Sequence, residues 1–389
     1  MLTEHFHNTQ KDTGHYSNDL RYVLSLQNTI AAFEEIKTWE GYAKTPLHSL
    51  DSLASDIGVK NIYYKDESSR FGLGSFKALG GTYGVLKFIH HALKKEIGDE
   101  VSMKDIHAGK YSEQISKYTV TTATDGNHGR SVAFGAKLFG CKCEIYIHSE
   151  VSSGRQKAME NLEATVNRIS GNYDESLQIC IEDAGKNNWY VISDTSYEGY
   201  TKYPRYIMAG YNVMAEEIVA QIKDRPLPTH VFLQGGVGSF PGAICGYFWE
   251  RFPGNNIKFV VVESEHAPCL IRSAQNNQMT SVNIKQETMM AGLSCGEPSL
   301  LGWEILGSGT DDFITINDSS IPGLMRLLAK NNLKIEAGES SVAGLAGLIE
   351  SMADQKIAKA MGLNKESIVL LFGTEGATDP EIYRSIISE

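Results

Sequence analysis

The chain has 389 residues with a formal net charge of -11, and 42% of its residues are hydrophobic and 21% charged. This is the composition of a folded globular protein, and the length suits two domains better than one. The acidic balance argues against nucleic acid as a main partner, since contact with phosphates needs a basic surface. The sequence contains no apolar run of the roughly 20 residues that span a bilayer, and its polar start does not resemble a secretory signal. We therefore expect a cytoplasmic protein without a membrane partner.

Apolar runs of strand length alternate along the chain with longer stretches of helical periodicity. We predict strands within residues 59–67, 117–125, 143–149, 165–170, 189–194, 229–236, 257–264 and 367–376. We predict helices within residues 76–98, 128–140, 153–164, 173–188, 238–252 and 340–362. This alternation is typical of an α/β fold with open, twisted, mostly parallel sheets flanked by helices.

The first unusual stretch is "FGLGSFKALGG", residues 71–81, which sets Lys77 among four glycines and two phenylalanines. Small and flexible surroundings suit a lysine that reacts with a bound ligand. The alternative is an ordinary surface lysine in the first turn of a helix. This stretch alone does not decide between the two.

The second stretch, "TATDGNHGRSVA", joins a predicted strand to a predicted helix, which is where ligands bind in parallel sheets. Asp125 and Asn127 lie at this junction, and the adjacent glycines let the backbone approach a ligand. The start of a helix also favours anionic groups. Equally, Asp125 or Asn127 could cap the helix, with His128 on the surface.

The third stretch, "FLQGGVGSFPGA", carries a glycine turn between a buried strand and a helix. Backbone N–H groups in such a turn can hold a phosphate, and a serine hydroxyl adds a donor. The third glycine of a dinucleotide fingerprint is missing, so the turn suits a single phosphate. The candidate phosphate-binding residues are Gly235, Gly236, Val237, Gly238 and Ser239.

The fourth stretch, "VLLFGTEGATDP", places Thr374 just beyond an apolar strand. Thr374 either contacts a ligand there or simply belongs to the turn that follows the strand. An amine at Lys77, a phosphate turn, an amide at Asn127 and a hydroxyl at Thr374 together match the groups of pyridoxal 5'-phosphate. This cofactor condenses with a lysine and withdraws electrons from a substrate carbanion.

Four motifs, "SFKALGG", "TDGNHG", "GGVGS" and "FGTEG", together resemble the fold type II, tryptophan-synthase-β-like family of pyridoxal-phosphate enzymes. The longer stretches "KDESSRFGLGSFKALGG" and "AGLSCGEPS" are most similar to its ammonia-lyases that act on 2,3-diaminopropionate. The resemblance spans residues 43–383 and implies a homodimer. It also implies two sheets, in a large domain of residues 1–85 and 191–389 and a small domain of residues 86–190, with the cofactor between them.

The resemblance also implies roles for individual residues. Lys77 is expected to condense with the cofactor, and Asn127 to lie near its phenolic oxygen. The turn at residues 235–239 is expected at the phosphate, and Thr374 near the ring nitrogen. The expected reaction is carbon–nitrogen elimination, which turns D- and L-2,3-diaminopropionate into pyruvate and two molecules of ammonia.

Asp125 departs from the family dehydratases, which usually have a small residue or a serine at this position. A carboxylate is a stronger base, so we expect Asp125 to remove the Cα proton of one enantiomer and Lys77 that of the other. Asp194 and Tyr173 are candidates to hold the β-amino group of the substrate. A helix cap or a surface position is an equal alternative for each of these two.

The six cysteines form no Cys-x-x-Cys pair, so we expect no metal site. Given the resemblance, Cys269 and Cys295 lie near the expected cofactor mouth, where a disulfide is possible although a cytoplasmic setting disfavours it.

Two rival functions stay open at this point. A serine or threonine dehydratase or racemase of the same family would eliminate a hydroxyl instead of an amine. A phosphate- or nucleotide-binding regulatory module is the other, although "FGLGSFKA" lacks the glycine spacing of a phosphate-binding loop.

Overall fold

The computed structural model describes residues 2–12, 14–124, 126–171, 173–330 and 332–388. The chain forms two compact units. Unit 1 consists of Met1–Phe76, Thr195–Gly199 and Tyr211–Glu389, and unit 2 of Lys77–Asp194 and Tyr200–Gly210. The domain bounds expected from the sequence stay a prediction; unit 2 differs from the range 86–190 by beginning at Lys77 and by including residues 200–210.

The strands in the described residues are, in chain order, β1 Leu2–His7, β2 Leu47–Ser49, β3 Asn61–Asp66, β4 Thr119–Ala123, β5 Lys142–Ile147, β6 Thr165–Arg168, β7 Tyr190–Val191, β8 His230–Gln234, β9 Lys258–Ser264, β10 Asp312–Ile316 and β11 Ile368–Gly373.

The α-helices are α1 Asn18–Val23, α2 Leu26–Ile36, α3 Asp51–Ile57, α4 Lys77–Ile97, α5 Met103–His107, α6 Ser112–Ile115, α7 Asn127–Phe139, α8 Ser153–Glu160, α9 Tyr173–Asn187, α10 Lys202–Tyr211, α11 Val213–Gln221, α12 Ser239–Arg251, α13 Cys269–Asn276, α14 Leu300–Gly309, α15 Ile321–Lys330, α16 Ala343–Ala353, α17 Gln355–Met361 and α18 Pro380–Ser388. Among these helices, none combines the length and the apolar character that crossing a membrane requires.

Unit 1 is built on a seven-stranded sheet in the order β1-β10-β9-β8-β11-β3-β2. The strands from β10 to β3 are parallel to one another, and the edge strands β1 and β2 are antiparallel to their neighbours. Every residue of β8 and β11 is buried, as expected for parallel strands covered on both faces. Because β8 and β11 are adjacent and parallel, the glycine turn after β8 and Thr374 after β11 lie at the same edge of the sheet.

Unit 2 is built on a four-stranded parallel sheet in the order β6-β5-β4-β7. Strands β4 and β7 are adjacent, so the segments that follow them, which carry His128 and Asp194, also emerge at one edge. The α/β fold class with two mostly parallel sheets flanked by helices is therefore confirmed.

Helices α4 and α7 of unit 2 pack closely because glycines face their contact. A Cβ on Gly81 would lie 1.8 Å from Oγ of Ser131, and one on Gly135 would lie 3.0 Å from Cα of Thr82. Side chains at these two glycines would separate the helices. The close packing fixes the first residues of both helices, where Lys77 and Asn127 lie.

Candidate active site

Lys77 is the first residue of α4, and its ammonium group is paired with the carboxylate of Asp194. The two side chains are 21% and 15% exposed, so the pair is half-buried and accessible. Asp194 lies three residues beyond the end of β7. The structure thus brings together two residues that the sequence placed 117 positions apart.

His128 joins this pair from the first turn of α7. Its ring is buried, its Nε2 lies 2.8 Å from the carbonyl oxygen of Ile192, and its Nδ1 lies 3.8 Å from Oδ2 of Asp194. Burial lowers the pKa of His128; the charge of Asp194 opposes this shift and that of Lys77 adds to it. The surface position considered for His128 is wrong, because the adjacency of β4 and β7, which the sequence does not display, encloses the ring.

The segment that carries Asp194 is held by Tyr200. The Tyr200 hydroxyl donates to the carbonyl oxygen of Val191 at 2.9 Å and accepts from the backbone N–H of Ser193 at 3.0 Å. The backbone N–H of Ile192 donates to the carbonyl oxygen of Thr121 at 2.9 Å. These bonds fix the backbone on which Asp194 is presented to Lys77.

At the turn before α7, Asp125 lies outside the described residues, and Asn127 is the half-buried first residue of the helix. The cap position belongs to Gly126, and Oγ1 of Thr124 accepts from the N–H groups of Gly126 and Gly129 at 3.1 Å each. Asn127 is therefore not the capping residue considered from the sequence. Its proposed contact with the phenolic oxygen stays a prediction.

In unit 1 the glycine turn runs from β8 into the 13-residue helix α12, whose first residue is the buried Ser239. Gly236 and Gly238 have φ angles of 59° and 97°, which favour glycine. A Cβ on Gly235 would lie 2.6 Å from Cγ of Glu263. The turn therefore presents backbone rather than side chains at the start of a long helix, which is the arrangement that binds a phosphate.

Thr374 is buried at the end of β11, and its hydroxyl has no hydrogen-bond partner among the residues that the structure describes. Its carbonyl oxygen accepts from the backbone N–H of Phe76 at 3.1 Å, and Ser75 pairs with Glu375. The segment that leads into Lys77 is thus bonded to the strand end that carries Thr374. A buried hydroxyl without a partner fits a residue that binds a ligand atom.

Each unit, considered by itself, contains groups that suit pyridoxal phosphate. Unit 1 offers a glycine turn of the type that holds a phosphate and an unpaired buried hydroxyl, and unit 2 offers a lysine at a helix start. Tyr173, in contrast, is 38% exposed at the start of α9.

Neither Cys269 nor Cys295 takes part in a disulfide bond. The possible disulfide is therefore absent, although Sγ of Cys269 lies 3.6 Å from the carbonyl oxygen of Gly236. Among the described residues no group of three His, Cys, Asp or Glu side chains is arranged to hold a metal ion.

Comparison with known proteins identifies the family. Residues 38–373 match the family model described as pyridoxal-phosphate dependent enzyme. The chain belongs to this family. The resemblance to fold type II pyridoxal-phosphate enzymes is thereby confirmed, and the cofactor is pyridoxal phosphate.

The chain is 38% identical to diaminopropionate ammonia-lyase of Escherichia coli K12 over 357 residues, which cover 90% of this chain and 88% of the relative. It is 37% identical to the Salmonella typhimurium enzyme of the same name, with 94% of each chain covered. A crystal structure of the E. coli enzyme with a reaction intermediate superposes with a TM-score of 0.88 at 35% identity, covering 100% of this chain and 97% of that one.

Proposed function

We propose that the chain is a pyridoxal-phosphate-dependent carbon–nitrogen lyase that eliminates ammonia from 2,3-diaminopropionate and yields pyruvate and two molecules of ammonia. The observation that carries this conclusion is similarity along almost the whole chain, at 38% identity, to a diaminopropionate ammonia-lyase. The half-buried lysine–carboxylate pair of unit 2 supports it, because the reaction needs a lysine that can attack and a carboxylate suited to a cationic amine.

The residues proposed to hold the cofactor are those that the family motifs indicate, and the geometry of each unit supports them. The backbone of Gly235, Gly236, Val237 and Gly238, with Ser239, would hold the phosphate, since this glycine turn leads directly into the start of the long helix α12. The hydroxyl of Thr374 would bond the ring nitrogen, and Asn127 the phenolic oxygen. Lys77 would bond the aldehyde carbon. When bound, the cofactor supplies an electron-withdrawing ring next to the substrate Cα.

Two bases are assigned to the Cα proton. Enantiomers present this proton to opposite faces, so one base cannot reach both. Lys77 is assigned to one enantiomer and Asp125 to the other, and a substrate amine that displaces Lys77 leaves the lysine available as a base. Asp194 and Tyr173 are assigned to the β-amino group, for which a carboxylate is a suitable partner.

A serine or threonine dehydratase or racemase is the rival within the family. Probable D-serine dehydratases are also relatives, but the Rhizobium leguminosarum one is only 24% identical to this chain, so the rival is not favoured. Product analysis decides: two ammonia molecules per pyruvate are expected from diaminopropionate, against one from serine. A chain that turns over serine faster than diaminopropionate would refute the proposal. Membership of the pyridoxal-phosphate dependent enzyme family argues against the other rival, a phosphate- or nucleotide-binding regulatory module.

We also propose a homodimer, a cytoplasmic location, and the large and small domains at residues 1–85 with 191–389 and at 86–190. Light scattering of the purified chain tests the first of these, and a monomer at working concentration would refute it.

A further inference from the structure

One ring nitrogen of His128 has no hydrogen-bond partner among the described residues. Nε2 lies 2.8 Å from the carbonyl oxygen of Ile192, and because that oxygen can only accept, Nε2 carries the hydrogen. In the neutral ring, Nδ1 is then an unprotonated lone pair. The surroundings have therefore selected one tautomer and left a base in a buried position.

This lone pair lies beside the reactive lysine. Nδ1 is 3.8 Å from Oδ2 of Asp194, and the same oxygen accepts from the ammonium group of Lys77. Two acceptors that face each other repel unless a proton lies between them. The contact between His128 and Asp194 therefore becomes favourable when Nδ1 gains a proton.

We propose that His128 is a positioning residue that takes over the proton of Lys77 through Oδ2 of Asp194. An N–H bond breaks at Nζ of Lys77 and an N–H bond forms at Nδ1 of His128. No electrons are exchanged and no further reactant takes part. The three side chains carry no net charge before or after the transfer, and Asp194 keeps a cationic neighbour throughout.

The surroundings permit this exchange. Burial keeps the pKa of His128 below the ordinary value and so favours the neutral ring, and among the described residues the charges of Asp194 and Lys77 act on it. The 3.8 Å separation closes to a hydrogen bond with a carboxylate movement of about 1 Å. The bonds from Tyr200 to the backbone of residues 191 and 193 keep the segment in place during that movement.

The consequence concerns attachment of the cofactor. Only the neutral amine of Lys77 attacks an aldehyde, and an ordinary lysine has a pKa of about 10.4. Removing the proton to solvent would take away the positive charge that Lys77 places beside Asp194, whereas moving it to His128 keeps a positive charge next to this carboxylate. The inference rests on the proposed role of Lys77, but on no particular substrate.

The test measures the rate at which the cofactor-free full chain attaches pyridoxal phosphate covalently, trapped by borohydride over time. His128→Gln keeps a donor for Ile192 but has no basic nitrogen. His91→Gln is the matched control, since His91 is another half-buried histidine of unit 2, lying 5.6 Å from the ring of Tyr206. At neutral pH we expect His128→Gln to attach the cofactor about tenfold more slowly, the equivalent of one unit in pKa, and His91→Gln at the wild-type rate.

Two further readouts separate this role from a structural one. The slowing should vanish at high pH, where hydroxide removes the proton. Affinity for 4'-deoxypyridoxine 5'-phosphate, which lacks the aldehyde, should be equal in all three proteins. Equal attachment rates at neutral pH, or a slowing that persists at high pH, would overturn the proposal.

A measurement without a change at His128 guards against a variant that fails to fold. Nitrogen NMR of histidine-labelled, cofactor-free wild type should show His128 protonated at Nε2 and not at Nδ1. Asp194→Asn should lower the pKa of His128, because the carboxylate raises it. The opposite tautomer, or an unchanged pKa, would refute the inference. These readouts need no diaminopropionate, so a wrong substrate assignment leaves them interpretable.

Discussion

Two lysine–carboxylate pairs, one in each unit, differ in how completely they are enclosed. In unit 1, Lys65 donates to Oε2 of Glu217 at 2.6 Å, to the carbonyl oxygen of Thr45 at 2.9 Å and to Oε1 of Gln221 at 3.0 Å. Both charged side chains are fully buried. In unit 2, Lys77 and Asp194 remain partly exposed, and Nδ1 of the neighbouring His128 meets no hydrogen-bond partner within the part of the chain that the structure describes.

The enclosed pair is further stabilised by Arg70, which donates to both Glu217 and Glu67. Burial acts to raise the pKa of Glu217, but the charges and hydrogen bonds of Arg70 and Lys65 lower it to about 2. All three N–H groups of the Lys65 ammonium donate hydrogen bonds within the protein, so none is available to bind a ligand.

The comparison shows that the two pairs differ in burial rather than in residue type, since the side chains of Lys65 and Glu217 are fully buried and those of Lys77 and Asp194 are partly exposed. A buried charge that lost its partner would be costly, so the unit 1 network is closed. The unit 2 pair is partly exposed, and Nδ1 of the adjacent His128 has no hydrogen-bond partner among the described residues. The following predictions test this separation.

Lys77→Ala should abolish covalent attachment of the cofactor and reduce lyase activity by at least about 10³-fold, because attachment and proton removal both depend on this amine. Since the side chain is partly exposed, the free energy of unfolding should change by only about 1 kcal/mol or less. Peptide mapping after borohydride reduction and a denaturant titration measure the two effects. A cofactor found on another lysine would contradict the assignment.

Asp125→Asn replaces a base by an amide of the same size. Activity on one enantiomer, expected to be D-diaminopropionate, should fall about 10²–10⁴-fold, and activity on the L form should fall much less. Kinetics with each pure enantiomer give the ratio, and cofactor content on the same sample excludes a binding defect. Equal losses on both enantiomers would show that Asp125 serves binding or folding.

Lys65→Met should have the opposite outcome to Lys77→Ala. It leaves Glu217 buried beside fewer cations, so the free energy of unfolding should fall by about 3–5 kcal/mol. Lys117→Met is the control, since Lys117 pairs with Glu113 at an exposed site and should cost less than about 1 kcal/mol. Urea unfolding of both variants makes the comparison. Similar losses in the two would remove the distinction drawn between the pairs.

The sequence predicted the parts of this molecule that depend on local pattern. Strands β3, β8, β9 and β11 and the long helix α4 fall within the predicted segments, because buried parallel strands are continuous apolar runs. The antiparallel edge strands β1 and β2 were missed. Strand β2 has only three residues, and the pairing of β1 with β10 joins residues about 300 positions apart, which periodicity does not record.

The motifs of the sequence single out the segments of the candidate site, whereas the contacts that depend on strand order cannot be predicted from them. Lys77 and the glycine turn were recognisable from small residues at strand ends and helix starts. The burial of His128 depends on β4 lying next to β7, and the saturation of Lys65 depends on Glu217, 152 positions away. The Gly-Asn-His motif draws attention to His128, but the sequence does not show that its ring bonds the carbonyl oxygen of Ile192.

Gly236→Asp tests whether the glycine turn of unit 1 binds the phosphate of the cofactor. A carboxylate there should weaken affinity for pyridoxal phosphate by about tenfold or more relative to Gly236→Asn, because it repels the phosphate. Asparagine is the fitting control, since it tolerates the positive φ of 59° and carries no charge. Equilibrium titration of cofactor-free protein gives both constants. Equal affinities would mean that the turn has another role.

The smallest expected effect is the pH dependence of the stabilisation that Glu217 provides. Because the folded pKa of Glu217 lies at about 2 and its ordinary value at 4.5, the unfolded chain binds the proton first as the pH falls. The stabilisation from Glu217 is therefore complete above pH 4.5 and is lost on the way down to about 2, at no more than about 1.4 kcal/mol per pH unit.

The difference in unfolding free energy between wild type and Glu217→Gln should be constant from neutral pH to pH 4.5 and shrink below it. Glu113→Gln, which removes the exposed pair with Lys117, is the control and should change the free energy of unfolding by less than about 1 kcal/mol. A constant difference for Glu217→Gln down to the lowest pH would mean that the carboxylate does not owe its charge to Arg70 and Lys65, and that the closed network of unit 1 is weaker than its hydrogen bonds indicate.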